Sequence, residues 1–303
     1  MYESRGLYTG EVDNQARRGF VQARSLLYVP GDKRNLLDKA FSRGADAVIL
    51  DLEDAVVPSQ KKIAREVMSE WIQSQAARAS QIWVRINADS PEEDIAVITA
   101  PIAGVMVPRA ESALLANVDE LLTLREDFLD IARGEIAVIP LIETASGLLS
   151  AASLATMPRV VRLAIGRVDL AGELGLGVDP EGPEFRTILL QLVIASSAAR
   201  ISAPLAPTST DFRDLDALSE STEALMKLGF RGRTAIHPAQ LAVINEVFTP
   251  TSEEVHRAKS LIAAFEESTR QESGVFVGED GRMVDAAVMR SARDILSRSR
   301  STE

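Results

Sequence analysis

Short apolar runs recur along the chain and alternate with longer segments in which apolar residues have helical spacing. Successive runs begin about 30 residues apart, which is the length of one strand–helix unit. Unbroken apolar runs are typical of strands that are covered on both faces, as in a parallel sheet. The pattern therefore predicts eight parallel strands, over Leu26–Val29, Ala47–Leu50, Ile82–Ile86, Gly104–Val107, Ile136–Ile142, Val161–Ile165, Ile201–Leu205 and Thr234–Ile236.

Amphipathic helices are predicted between these runs. They cover Asn35–Arg43, Glu111–Leu129, Pro183–Arg200 and Asp211–Leu228, and Gly229 is a natural C-cap for the last of them. Eight strand–helix units in about 230 residues indicate a TIM barrel. A doubly wound dinucleotide-binding sheet is the alternative. That fold requires GxGxxG directly after its first strand, where this chain has Pro-Gly-Asp-Lys at residues 30–33.

The barrel units do not account for the two ends of the chain. We expect a polar N-terminal arm over residues 1–23, a TIM-barrel catalytic domain over residues 24–250, and a C-terminal lid or oligomerisation segment over residues 251–303. The C-terminal segment contains one predicted helix over Thr251–Thr269, an extended stretch at Gly274–Val277, and a second helix from Ala286.

Composition excludes several classes of function. The 303 residues include 33 basic and 44 acidic side chains, for a net charge of −11, with two histidines and no cysteine. The lack of cysteine excludes disulfides, zinc–thiolate sites and thiol nucleophiles. The negative charge argues against nonspecific nucleic-acid binding, which needs a basic surface. No apolar stretch reaches the roughly 18 residues of a membrane span, and the N-terminal segment lacks the apolar core of a secretory signal, so we expect a cytoplasmic protein.

Charged residues follow the predicted strands, at the end where TIM barrels carry their active sites. Many loop charges are simply solvated, but two positions are harder to explain in that way. Arg85 lies inside an apolar run, and Glu143 directly follows the apolar sequence Ile-Pro-Leu-Ile. The full set of charged or polar residues at or near the strand ends is Asp32, Lys33, Asp51, Glu53, Asp54, Arg85, Asn87, Arg109, Glu143, Asp169 and His237.

Glu143 and Asp169 form the most informative pair. They are one strand–helix unit apart, so they should flank adjacent strand ends. Two carboxylates that lie close together repel, and one of them takes up a proton unless a cation lies between them. An all-oxygen site indicates a hard cation such as Mg²⁺, which uses one or two protein carboxylates together with water and substrate. A structural salt bridge to Arg85 or Arg167 is the alternative interpretation.

A set of motifs covers the chain from Arg24 to Leu296. In order they are RSLLYVPGDKRN, AVILDLEDAV, WVRIN, VMVPRAES, IPLIETASG, AIGRVDLAGELG, AIHPAQ and GRMVDAAVMRSARDIL. Together they resemble the citrate lyase beta-subunit and malyl-CoA lyase family, within the HpcH/HpaI aldolase superfamily. DLEDAV, VRIN, IET and the late VDxxV are specific as a set, although each is weak alone.

The resemblance implies a Mg²⁺-dependent TIM-barrel lyase, with Mn²⁺ as an alternative metal, that cleaves or forms a C–C bond between an acyl thioester and a 2-oxo acid. It implies that Glu143 and Asp169 are the metal ligands and that Arg85 contacts the substrate oxygen. Asp51, Glu53 and Asp54 would shape the surroundings of Arg85, and Glu53 could hold it. Lys33 lies where relatives place a cation facing the CoA phosphates, and the adjacent Arg34 suits the same role.

The resemblance also implies that Asp285 is the catalytic acid/base, carried on a lid that reaches the site of a neighbouring subunit. This requires a homo-oligomer, a trimer or hexamer. A helix N-cap is the alternative role of Asp285. His237 either contacts substrate or fixes the turn before a helix.

Some positions depart from the family pattern. Val168 stands where an acidic residue is frequent, Arg109 replaces a frequent lysine, and residues 205–208 read Leu-Ala-Pro-Thr in place of a sequence close to Leu-Asp-Ala-Val. These changes lie at the barrel rim, so they bear on which acid or thioester is bound. Three functions remain open: a CoA-ester lyase of malyl-CoA or citramalyl-CoA type, a citrate lyase beta subunit acting on a carrier-protein thioester, and a noncatalytic barrel in a larger assembly.

Overall fold

Eight parallel strands form a single barrel in the computed structural model, which describes residues 23–177, 183–270, 276–277, 283–284 and 286–300. Neighbouring strands are hydrogen-bonded in the order β7-β6-β5-β4-β3-β2-β1-β8. A parallel bridge between Ala206, directly after β7, and Arg233 of β8 joins the first and last strands of this order. The predicted TIM barrel is therefore confirmed. The strands are β1 Ser25–Pro30, β2 Ala47–Asp51, β3 Ile82–Arg85, β4 Gly104–Val107, β5 Ala137–Ile142, β6 Arg162–Ile165, β7 Ser202–Leu205 and β8 Arg233–Ala235.

Helices connect the strands and surround the barrel. They are α1 Arg34–Leu37, α2 Lys61–Ser74, α3 Pro91–Ile95, α4 Ser112–Leu129, α5 Ala145–Leu154, α6 Arg167–Leu174, α7 Pro183–Ala199, α8 Leu215–Leu228 and α9 Ala239–Phe248. Short 3₁₀ segments lie at Ala40–Arg43, Pro58–Gln60 and Ala76–Gln81. After the barrel come α10 Ser252–Arg270, a hairpin of β9 Phe276–Val277 and β10 Met283–Val284, and α11 Ala286–Arg300.

Two predicted helices differ from the structure. Asn35–Arg43 is not one helix but α1 followed by a 3₁₀ segment, because the backbone bonds here span three residues: Lys39 donates to the Leu36 carbonyl and Ser42 to the Lys39 carbonyl, each at 3.1 Å. Helix α8 begins at Leu215 and not at Asp211, because the Asp214 side chain accepts the Ala217 N–H at 2.9 Å and caps the helix there. It ends as predicted at Gly229, whose φ of 119° is in the left-handed region.

Apolar side chains form two cores, one between the barrel and its helices and one inside the barrel. Trp71 belongs to the outer core and Trp83 to the inner one, which confirms the packing role expected for both. Trp83 fills the barrel so tightly that a Cβ on Gly104 of the next strand would lie 2.4 Å from its ring. This packed floor leaves the carboxyl ends of the strands as the place for polar chemistry.

The C-terminal helix packs against the barrel. Arg231, just before β8, lies 3.3 Å from Asp294 of α11, and Arg298 of α11 donates a hydrogen bond to the carbonyl of Phe248 at 3.3 Å. Within the described residues, the helices include none that combines the length and apolar character of a membrane span. The predicted arm, apart from Ala23, and Asp285 lie outside the described residues.

Candidate active site

Arg85 is buried at the carboxyl end of β3 and is bound by a carboxylate of the neighbouring strand. The register of β2 and β3 places Asp51 beside Arg85. The two Asp51 oxygens accept hydrogen bonds from Arg85 Nε at 2.8 Å and Nη2 at 2.6 Å. The two residues are 2% and 8% exposed. This bidentate arrangement fixes the plane of the guanidinium group and directs Nη1 into the barrel mouth.

Two more carboxylates approach the remaining nitrogen of Arg85. Glu53 Oε2 lies 2.7 Å and Asp54 Oδ2 lies 3.3 Å from Nη1. The turn that presents them is stabilised by Asp51, which accepts the backbone N–H of Glu53 at 2.9 Å. Burial raises the pKa of Glu53 to about 8 against the opposing effect of Arg85, and the carboxylate of Glu143 raises it further. The pairing of Glu53 with Arg85 predicted from the sequence is present.

Tyr28 lies under Arg85 and was not expected from the sequence. The guanidinium carbon is 4.9 Å from the centre of its ring, which is a cation–π contact. The phenol donates a hydrogen bond to the sulfur of Met106 at 3.1 Å, and burial raises its pKa well above the usual range. Tyr28 therefore stays neutral. The only signal in the sequence is its position in β1, two residues after the inward-facing Leu26.

Glu143 lies at the end of β5, is 6% exposed, and is held by the backbone of a neighbouring loop. The N–H of Arg109 donates to Glu143 Oε2 at 3.0 Å. Arg109 has a φ of 47°, a conformation that non-glycine residues rarely adopt and that often marks a functional site. A Cβ on Gly166, after β6, would lie 2.4 Å from both Cγ and Oε1 of Glu143. The glycine that precedes Arg-Val-Asp therefore makes room for this carboxylate.

Asp169 lies in the first turn of α6 and is exposed. Burial raises the pKa of Glu143 to about 7; the Arg109 N–H lowers it, and the nearby Asp169 carboxylate raises it. The pairing of β5 with β6 brings these two residues to adjacent strand ends, as expected. The carboxylates that pair with Arg85 are those of Asp51, Glu53 and Asp54, and not those of Glu143 or Asp169.

The mouth of the barrel carries more negative charge than Arg85 can balance. Asp51, Glu53 and Asp54 contact the Arg85 guanidinium group, and the Glu143 carboxylate, which has Asp169 nearby, raises the pKa of Glu53. Glu53 Oε2 is buried, and apart from its ion pair with Arg85 at 2.7 Å it makes no hydrogen bond with any described residue. In the part of the chain that the structure describes, no group of three or more His, Asp or Glu side chains could hold a metal ion. A pair of carboxylates with an open coordination sphere fits Mg²⁺.

A family model described as HpcH/HpaI aldolase/citrate lyase matches residues 24–238. The chain belongs to this family. Its membership confirms both the resemblance read from the motifs and the expected class of carbon–carbon lyases. The matched residues include every strand of the barrel and every carboxylate at its mouth.

Curated relatives of the chain include two kinds of protein. The (3S)-malyl-CoA thioesterase of Cereibacter sphaeroides is 35% identical over 91% of this chain and 94% of the relative. The citrate lyase subunit beta of Leuconostoc mesenteroides is 30% identical over 90% of this chain and 92% of the relative. Among solved structures, CitE from Mycobacterium tuberculosis in complex with magnesium, acetoacetate and coenzyme A has a TM-score of 0.72 and 30% identity, and covers 91% of this chain and 98% of its own. Magnesium in that structure agrees with the cofactor expected for this family member.

Other predicted residues pair with partners outside the Arg85 ion pairs. Lys33 and Arg34 are exposed after β1, and they pair with Asp32 at 2.6 Å and with Asp38 at 2.9 Å. Their contact with substrate phosphates stays a prediction, as does the role of Asp285.

His237, at the end of β8, accepts the Ala239 N–H at its Nδ1 atom at 3.2 Å. Its ring is stacked on Phe212 with 4.5 Å between the ring centres. Both contacts are those of a residue that fixes a turn.

Proposed function

We propose that this protein is a Mg²⁺-dependent lyase that cleaves a 3-hydroxyacyl-CoA thioester of the malyl-CoA or citramalyl-CoA type into an acyl-CoA and a 2-oxo acid. The observation that carries the proposal is the placement of Arg85. Asp51 holds its guanidinium group rigidly in a barrel mouth that also contains the Glu143 and Asp169 carboxylates. A fixed cation and a hard-metal site at one barrel mouth are what cleavage of this bond requires.

Cleavage of the C–C bond removes a proton from the hydroxyl group on one carbon and leaves the electron pair of the bond on the other carbon, which then takes up a proton. The β-hydroxyl group loses its proton, the C–C bond breaks, and its electron pair enters the thioester as an enolate. Protonation of the enolate carbon then gives the acyl-CoA, and the former hydroxyl carbon becomes the carbonyl of the 2-oxo acid. The two needs are therefore a lowered hydroxyl pKa and a positive group beside the enolate oxygen.

Glu143 and Asp169 would hold the metal ion. A Mg²⁺ ion held there would supply the Lewis acidity that lowers the pKa of the β-hydroxyl group. The Arg109 N–H and the space at Gly166 keep Glu143 in place for this task. Arg85 stabilises the enolate oxygen, and a preorganised donor of this kind contributes about 3 kcal/mol to transition-state stabilisation. Glu53 and Asp51 keep the guanidinium group oriented.

The acid/base and the lid belong to a second part of the proposal. Asp285 protonates the enolate carbon in a neighbouring subunit of a homotrimer or hexamer, as the VDxxV motif implies. Co-assembly of two inactive variants, Asp285→Asn and Glu143→Ala, tests this part. Shared sites restore some activity because certain mixed interfaces carry both intact residues. No restoration, or full activity of Asp285→Asn alone, contradicts it.

The thioester carrier is CoA in this proposal. Lys33 and Arg34 are exposed at the barrel end and suit phosphate groups, and CitE from Mycobacterium tuberculosis was solved with coenzyme A. A carrier-protein thioester, as for a citrate lyase beta subunit, is the alternative. It predicts that the thioester on its carrier protein is cleaved much faster than the same acyl group on CoA.

The test is product analysis with the purified protein. Malyl-CoA, citramalyl-CoA and citryl-CoA are each incubated with Mg²⁺ or with excess EDTA. We expect acyl-CoA and 2-oxo acid in equal amounts from at least one substrate, and none with EDTA. Relatives named (3S)-malyl-CoA thioesterase favour hydrolysis as a second activity. Hydrolysis gives free CoA and the intact hydroxy acid, so the same chromatogram distinguishes the two reactions. No turnover of any substrate would favour a noncatalytic barrel.

A further inference from the structure

A second polar cluster lies behind the Arg85 ion pairs and joins α2 to the loops after β2 and β3. It consists of Lys61 and Arg65 on α2, Asn87 after β3, and Asp94 in α3, and we call it the loop clamp. Lys61 and Arg65 are four residues apart, so they lie on one face of α2. The proposed reaction does not use any of these four side chains directly.

Lys61 binds the loop that presents Glu53. Its ammonium group donates to the carbonyl oxygens of Leu52 at 3.0 Å and Glu53 at 3.4 Å. It also donates to Asn87 Oδ1. The Asn87 amide in turn donates to the same Leu52 carbonyl at 3.0 Å. The backbone at residues 52 and 53 is therefore held from α2 and from the loop after β3 at once.

Asp94 anchors the other side of the clamp. It is fully buried, and its Oδ2 atom accepts the backbone N–H of Asn87 at 2.6 Å and the Asn87 side-chain amide at 2.7 Å. Its Oδ1 atom accepts Arg65 Nε at 2.7 Å. A buried carboxylate with all these partners is rigid, because each lost hydrogen bond would leave a buried charge unsatisfied. The Asn87 side chain is therefore a fixed partner for Lys61.

We propose that Lys61 is a positioning residue that acts through Glu53 on Arg85. The proposal rests on the function proposed above, in which Arg85 contacts the reacting oxygen. Apart from its 2.7 Å ion pair with Arg85 Nη1, Glu53 Oε2 makes no hydrogen bond among the described residues, so the backbone at residues 52 and 53 is its other support. Asp51 binds the other two nitrogens without help from Lys61. Loss of Lys61 therefore loosens the backbone that presents Glu53 and weakens its contact with Arg85 Nη1, whereas the Asp51 and Asp54 contacts of Arg85 remain.

A kinetic comparison tests this with a matched control. Lys61→Met removes the ammonium group, and Lys62→Met removes the charge of its exposed neighbour. We expect Lys61→Met to lower kcat about 10- to 100-fold, the usual effect of removing a group that orients a catalytic residue. KM for the thioester should change little, and Lys62→Met should match the wild type. If kcat of Lys61→Met is normal, the proposal is wrong.

A double-mutant cycle distinguishes positioning from a general structural role. If Lys61 acts through Glu53, the variant Glu53→Gln/Lys61→Met loses no more kcat than Glu53→Gln alone, because the second change removes nothing further. If the kcat losses of the two single variants instead multiply in the double variant, Lys61 acts elsewhere and the proposal is overturned. Lys61→Gln, which keeps one donor for the carbonyls, replaces Lys61→Met throughout if the methionine variant does not fold.

Crystal structures of the wild type and of Lys61→Met give a result that does not depend on activity. We expect Glu53 to leave Arg85 Nη1 in the variant while the Asp51 hydrogen bonds remain. An unchanged Glu53–Arg85 separation overturns the positioning role. An inactive wild type with a displaced Glu53 in the variant contradicts only the proposed function, so the two failures are distinguishable.

Discussion

Asp51 and Arg85 lie side by side on neighbouring strands, and the carboxylate accepts two hydrogen bonds from the guanidinium group, at 2.8 and 2.6 Å. The strand register produces this pairing, so the ion pair is set by the backbone of the barrel. A buried pair of this kind costs about 3–5 kcal/mol to break when one partner is removed. The orientation of Arg85 is therefore fixed before any substrate binds.

Arg85→Lys should lower kcat at least about tenfold, which corresponds to 1.4 kcal/mol in the activation free energy. Lysine keeps the charge but lacks the planar fork that binds Asp51 through two nitrogens while Nη1 faces the barrel mouth. Steady-state kinetics with the substrate identified by product analysis measure the effect. Arg43→Lys, at an exposed position, is the control and should behave as wild type. A normal kcat for Arg85→Lys would restrict Arg85 to a structural role.

Replacement of either proposed metal ligand should abolish both catalysis and metal binding. In Glu143→Gln and Asp169→Asn, an amide replaces a carboxylate in a site with only two protein ligands, so Mg²⁺ should bind far more weakly. The rise in Tm on adding Mg²⁺ and the rate of thioester cleavage are the two measurements. Glu120→Gln on the exposed face of α4 is the control. Full activity of either ligand variant in limiting Mg²⁺ would rule that residue out as a ligand.

Gly166→Ala should impair metal binding although the change adds only a methyl group. The new Cβ would lie 2.4 Å from Cγ and Oε1 of Glu143, so the carboxylate has to move. Gly172→Ala on α6 is a close control, because nothing lies within 4 Å of its Cβ position. We expect the Mg²⁺-dependent rise in Tm to be lost in the first variant and kept in the second. Equal Mg²⁺ affinity in both would contradict the described position of Glu143.

Mg²⁺ binding should depend on pH through Glu143. Burial and the neighbouring Asp169 raise the pKa of Glu143 to about 7 in the folded protein, whereas an unfolded chain has an ordinary value of about 4.3. The folded protein therefore holds the Glu143 proton more tightly than the unfolded chain does, and the proton stabilises the fold. This stabilisation is fully present below about pH 4.3 and is lost as pH rises through about 7.

Titration of Tm against pH, with and without Mg²⁺, measures this dependence. The Tm of the metal-free protein should fall between these pH values, and added Mg²⁺ should raise Tm more at pH 8 than at pH 5.5. Below the pKa, the apparent affinity for Mg²⁺ should drop about tenfold per pH unit, because binding must expel one proton. In Glu143→Gln, which mimics the protonated form, the fall in the Tm of the metal-free protein should flatten. A Mg²⁺ affinity that does not vary between pH 5.5 and 8 would contradict the raised pKa.

The barrel and its charged rim were predictable because each follows from local pattern. All eight apolar runs became strands, and the carboxylates that follow β2 and β5 lie at the mouth as expected. The rest depends on contacts between distant segments. The packing of Tyr28 under Arg85 and the space that Gly166 leaves for Glu143 depend on the register of the barrel strands. The left-handed backbone of Arg109 has no sequence signal, since arginine seldom adopts it.

The loop clamp shows the same limit. Lys61 and Arg65 have helical spacing and would ordinarily be assigned to a solvated helix face. Only the fold shows that their charged ends turn back toward Glu53 and Asp94. Sequence pattern identifies which residues carry the chemistry, whereas the residues that hold them in place emerge from tertiary structure.

The most direct test of the account is a crystal structure with Mn²⁺ and a 2-oxo acid, recorded so that the anomalous signal locates the metal. We predict one peak bound to carboxylate oxygens of Glu143 and Asp169, with the 2-oxo acid completing the coordination sphere and the Arg85 guanidinium facing the open side of the acid. A metal bound elsewhere, or a 2-oxo acid bound away from Arg85, would contradict the assignment of this barrel mouth as the lyase site.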